Sequence, residues 1–175
     1  MNIHPIFVHF PIALLTVYAI LELIRFKKIT DQTWFEYVKG SFVIIGALSS
    51  SLALQTGELA EELYEKNNEV SNLIETHANW AGFASYLFAI LAVLYAIHFV
   101  IKSPLHIKIQ NTFVKPFWLF IVSISETLFK TVWFMMIASF VGIIAITITG
   151  ALGGAIVYGP DVDPVVKIIY SLLVK

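Results

Sequence analysis

Four stretches of this chain are apolar for long enough to cross a bilayer, and that constrains how it folds more than any other feature. They run over about 5–24, 41–56, 79–101 and 132–154, the second being the shortest. At about 1.5 Å per residue, a helix of some 20 residues crosses roughly 30 Å of hydrocarbon. Backbone polar groups find no water there, so a spanning segment is a helix or a strand of a closed barrel. The period-2 alternation of barrel strands is missing, which leaves helices. Composition agrees: 58% of the 175 residues are hydrophobic and 13% charged, where soluble domains carry about 25% charged residues. The expected fold is all-α, a four-helix transmembrane bundle with residues 1–175 forming a single domain. There is no cysteine, which excludes disulfides, zinc–thiolate sites, cysteine-ligated iron–sulfur clusters and c-type haem attachment.

Charge sets the expected orientation. Arg25, Lys27, Lys28 and Lys39 flank the first connection, and Lys102, Lys108, Lys115 and Lys130 the third. The second connection carries Glu58, Glu61, Glu62, Glu65, Glu69 and Glu75 against Lys66 alone, with Glu62 and Lys66 spaced as an i,i+4 pair. Basic loops stay in the cytoplasm, so both termini and the acidic loop are expected outside. The start lacks the basic n-region of a secretory signal and reads as a retained first span. Residues 112–129 hold an apolar piece, Phe117 to Ile124, that is short for a span and bounded by Lys115, Pro116 and Glu126, so they read as an interfacial helix on the cytoplasmic side. The tail after Pro164 reads as an amphipathic piece on the outer face. Small residues recur at packing spacing: Gly150 and Gly154, then Ala145, Thr149 and Gly153, then Ser49, Ala53 and Gly57. Such faces let helix backbones approach closely, and homo-oligomers use them too.

Topology then brings histidines together. With an even number of crossings, the outer rim gathers His4 and His9, Thr56-Gly57, Glu58, Glu61, His77, Trp80, and the run from Gly150 to Tyr158 with Asp161 and Asp163. An ionisable side chain at this depth is a functional-site candidate by default. His9 and His77 open parallel helices, with Ala13, Thr16, Ala81, Ala84 and Ser85 one to two turns deeper, an arrangement that suits haem b ligated from two helices of a bundle. His4 would be a neighbouring or alternative ligand. A divalent ion held by these histidines with Glu58, Glu61 or Asp161 is the competing site. The competing role without a cofactor is a hydrogen-bonded structural or proton-handling one. His98, roughly 31 Å along its helix from His77, and His106 have no evident site. Glu22 is expected to reach Arg25 or Lys28, and Trp80 and Tyr158 to anchor the interface.

The motifs resemble a family. Ile3-His4-Pro5-Ile6-Phe7-Val8-His9-Phe10-Pro11-Ile12, Thr56-Gly57, His77 and the close Gly153-Gly154-Ala155-Ile156-Val157-Tyr158-Gly159 are similar to the bacterial DUF2231 membrane proteins over nearly the whole chain. The resemblance implies four spans in a bacterial inner membrane and assigns no chemistry. Relatives joined to cytochrome c-like domains imply redox work at the outer face. Two departures stand out: the long insertion from Ser103 to Lys130, and Tyr158-Gly159-Pro160-Asp161 where the family continues with a basic or histidine-containing run.

The functional expectation is electron transfer by a small membrane protein with a b-type haem on His9 and His77, between a membrane quinol and an outer-face or periplasmic redox protein. A divalent-metal protein and a structural or assembly subunit are the alternatives. Transport fits less well, because only one end of the bundle is expected to be polar. The basic residues are accounted for by topology, which leaves no case for nucleic acid. Ser49, Ser50 and Ser51 have no histidine–carboxylate pair at their depth, and no hydrolase or transferase motif is present.

Overall fold

A computed structural model describes residues 4–61 and 68–174, with backbone alone at 68–70. The Glu62–Lys66 pair and Glu65, Glu69 and Ile3 of the sequence reading lie outside the described side chains. Among the described residues every regular element is a helix. Four of these are long and apolar enough to span: α1 (His4–Leu23), α3 (Thr33–Glu61), α4 (Asn68–Ile101) and α7 (Val132–Tyr158). Short α2 (Lys27–Thr30) joins α1 to α3. Two helices, α5 (Pro104–Gln110) and α6 (Lys115–Lys130), lie between α4 and α7, and α8 (Pro164–Leu173) closes the chain.

Each spanning helix packs on the next, and α7 returns to α1, so the four close into an up-and-down ring. Tyr18 of α1 reaches across it, its ring 6.1 Å from Phe88 and 5.8 Å from Tyr95 on α4, both edge-on. The outer surface stays apolar: Phe10, Ile20, Leu48, Tyr86, Val93, Ile137 and Phe140 are all exposed, as a bilayer requires. The second apolar stretch belongs to a helix of 29 residues, longer than its hydropathy suggested. Its first two turns carry Glu36 and Lys39, whose charges hide the helix from a hydropathy reading but are neutralised inside the fold. Pro11 is accommodated inside α1 and buried.

Local chemistry sets the other boundaries. Ser103 caps α5, its hydroxyl accepting from the Leu105 amide, and Asp163 caps α8 by accepting from the amides of Val165 and Val166. Both caps are followed by proline at the first helical position, where a missing N–H costs nothing. Gly159 ends α7 at φ +89°, a backbone angle that favours glycine. Residues 104–130 thus form two helices, with His106 as their rivet. Trp118 donates its indole N–H to His106 Nδ1 at 3.1 Å, so Nε2 carries the neutral ring's proton. The Gln110 side-chain amide nitrogen also meets the ring, 2.7 Å from Nε2.

Candidate functional site

His4 and His77 are seated in the same way on two different helix pairs. At the start of α1, His4 Nδ1 lies 3.1 Å from the Thr56 hydroxyl near the end of α3. That hydroxyl donates to the Leu52 or Ala53 carbonyl, 3.0 Å away in each case, so towards His4 it accepts and Nδ1 is the donor. Nine residues into α4, rather than at the helix start expected from sequence, His77 Nδ1 donates at 3.0 Å to the carbonyl of Thr149, nine residues before the end of α7. Both neutral rings are therefore Nδ1–H tautomers with the lone pair on Nε2.

Glycine makes each seat. A Cβ on Gly57 would stand 3.2 Å from Cε1 of His4, and a Cβ on Gly153 would stand 3.3 Å from Cε1 of His77. Thr56-Gly57 and Thr149 with Gly153 thus do more than bring helices together: they let an imidazole lie flat against its antiparallel neighbour. Both rings are half-buried.

His9 is placed elsewhere. Five residues at about 100° each turn it roughly 140° around α1 from His4, and its side chain is exposed on the bundle's outer surface. The structure seats His4 and His77 against neighbouring helices at one end of the bundle, while His9, the ligand favoured with His77 by sequence, is exposed. Of the carboxylates considered as partners, Glu58 and Glu61 are exposed. Asp161 meets Lys167 at 2.9 Å and holds that ammonium's pKa above its ordinary value. Among the described residues no group of three His, Asp or Glu side chains could hold a metal ion. Trp80 packs into a second apolar cluster with Leu73, Leu152 and Val166 rather than serving only as an anchor, while Tyr158 is exposed. Gly154 supports Val166 of α8, and Gly150 floors an open groove between α7 and α8.

The opposite end is polar too, which the sequence reading missed. Glu22 is 3% exposed, with Lys39 Nζ 3.0 Å from each carboxylate oxygen. The Tyr95 hydroxyl donates to it at 2.7 Å, and Arg25 stands 3.6 Å away. Lys28, one of its expected partners, is exposed. A second cluster joins Glu36 to Lys102 at 2.7 and 2.8 Å and to His98, whose ring stacks on Phe129 of α6 at 4.0 Å. His98 thus ties α3, α4 and α6 together. Lys39 and Tyr95 gave no local signal, because their partner lies on another helix. The serine run has a plain use: Ser49, Ser50 and Ser51 each donate to the carbonyl three residues back, at 2.7–2.9 Å.

Comparison with curated proteins and with solved structures finds no match for this chain. A family model does match, over residues 1–164, which takes in all four spanning helices, both histidine seats and the Glu22 cluster: the chain belongs to the DUF2231 family of predicted membrane proteins.

Proposed function

We propose that this membrane protein transfers electrons, with His4 and His77 as the two protein ligands of a b-type haem at the end of the bundle that holds the N-terminus. The supporting observation is the matched pair of seats. Two imidazoles from different helices are each anchored through Nδ1–H to an oxygen, which is how ligand histidines are oriented and made more basic. Haem brings four nitrogens of its own and asks the protein for only two, whereas an all-protein divalent site needs three or four ligands. The carboxylates considered for such a site are exposed or paired, so the divalent reading gains no support here. When bound, the haem iron supplies one-electron chemistry. The protein's part is to hold the two rings and to exclude water with the apolar turns beneath them. The donor in this reading is a membrane quinol and the acceptor a redox protein outside a bacterial inner membrane, with both chain termini on that side.

Expression with ample haem supply tests it. Purified protein should show a Soret band that is lost in His4→Ala and in His77→Ala and kept in His9→Ala. No band in the unaltered protein ends the proposal, and a band that needs His9 reassigns the ligands. A structural reading rests on the same two hydrogen bonds, since each pins one helix to its antiparallel neighbour. His77→Asn separates the two: a structural histidine tolerates it with little loss of thermal stability, whereas a ligand does not tolerate it spectroscopically.

A further inference from the structure

Two hydroxyls in the middle of the bundle point to a binding site that neither the fold nor the histidine pair accounts for. Tyr18 and Ser139 are both 0% exposed, and neither hydroxyl makes a direct hydrogen bond of full geometry among the described residues. The phenol stands within electrostatic reach of the Ser139 hydroxyl on α7 and of the Glu22 carboxylate one turn along α1. Leaving a buried hydroxyl unpaired costs about 1–3 kcal/mol, and such groups are ordinarily satisfied by protein or by an internal water. A buried water needs two to four polar partners. Tyr18, Ser139 and Glu22 offer three.

We propose that these three side chains enclose an internal water-binding site, independent of any cofactor at the other end. The water accepts or donates at each hydroxyl and donates to Glu22, whose other bonds go to Lys39, Tyr95 and Arg25. A continuous hydrogen-bonded chain then runs from the basic end of the bundle to Ser139, seven residues into α7, or roughly 10 Å at helical rise. Beyond it the core is apolar, with Leu15, Phe88 and Leu91 buried around the axis. The site gives the bundle a hydrated polar wedge at one end, opposite the imidazoles.

Radiolytic hydroxyl labelling in detergent tests the water directly, because a buried ring is oxidised only where water lies against it. Tyr18 should be labelled despite its burial, while Phe88, equally buried 6.1 Å away, should not. A double-mutant cycle gives the second readout. Tyr18→Phe and Ser139→Ala should each lower Tm by about 2–4 °C, and the pair together by clearly less than the sum. Labelling of Tyr18 with coupled losses supports the site. An unlabelled Tyr18 overturns it, even with coupled losses, since the two hydroxyls would then bond each other directly. Single substitutions that raise Tm or leave it unchanged, adding independently, also overturn it, because the hydroxyls would then be dry and unsatisfied.

Discussion

A methyl on Gly57 or Gly153 would stand 3.2 or 3.3 Å from an imidazole, closer than ordinary contact, whereas Gly82 and Gly150 face open space. Gly57→Ala and Gly153→Ala should therefore cost about 1 kcal/mol or more as the ring gives way, while Gly82→Ala and Gly150→Ala should cost nothing, since alanine favours helix. Thermal unfolding in detergent reads the difference as about 2–4 °C per kcal/mol; four equal shifts would refute the seats. At this scale the sequence was legible only in part. That histidines gather at one rim followed from counting crossings. Which of the two α1 histidines is seated against a neighbouring helix was also written there, in the five-residue spacing of His4 and His9 that sends them to different faces of α1. Depth alone, without rotation about the helix, does not separate the two. Glu22 shows the other kind of miss. Its local neighbours Arg25 and Lys28 were visible, but Lys39 and Tyr95 become partners only through packing.

Among the elements, boundaries written in side-chain chemistry were readable and boundaries compensated by tertiary contacts were not. Pro164 after Asp163 announces the start of α8, and the structure gives that aspartate two amides to cap. Asp163→Ala should fray α8 by about 1 kcal/mol, read as faster hydrogen exchange at Val165 and Val166 with α7 unchanged; equal protection in both proteins would show that packing of Val166 on α7 holds the helix unaided. The first two turns of α3 had no such signal. Thr33 to Gly40 looks like a loop by hydropathy because it carries Glu36 and Lys39, yet both charges find partners on α1 and α4, so the helix continues. The insertion between α4 and α7 was legible as an apolar surface helix from its Phe117-to-Ile124 core. Its division into α5 and α6, joined through His106 and Trp118, depended on a contact between residues twelve apart.

The whole molecule is a ring of four helices with polar chemistry at both ends and an apolar waist between them. Charge distinguishes the ends. Glu58, Glu61, Glu75, Asp161 and Asp163 lie at the histidine end, and Arg25, Lys27, Lys28, Lys102, Lys108 and Lys115 at the other. If the positive-inside rule orients this chain, the histidine seats face away from the cytoplasm and the Glu22 cluster toward it. The absence of cysteine makes the test direct, because a single introduced thiol is the only one present. Glu61→Cys and Asn111→Cys stand at opposite ends, each exposed and outside any buried cluster. In intact spheroplasts a membrane-impermeant maleimide should label Glu61→Cys and spare Asn111→Cys, with both labelled after lysis. The reverse pattern would put the imidazoles on the cytoplasmic side, where an outer-face redox partner could not reach them. Labelling of both in intact cells would mean that the chain inserts in two orientations, with its basic excess too weak to choose. Orientation therefore decides more than address: the same pair of rings can serve an outer-face acceptor only if the eight lysines and arginines at the far end, Lys39 and Lys130 among them, hold that end in the cytoplasm.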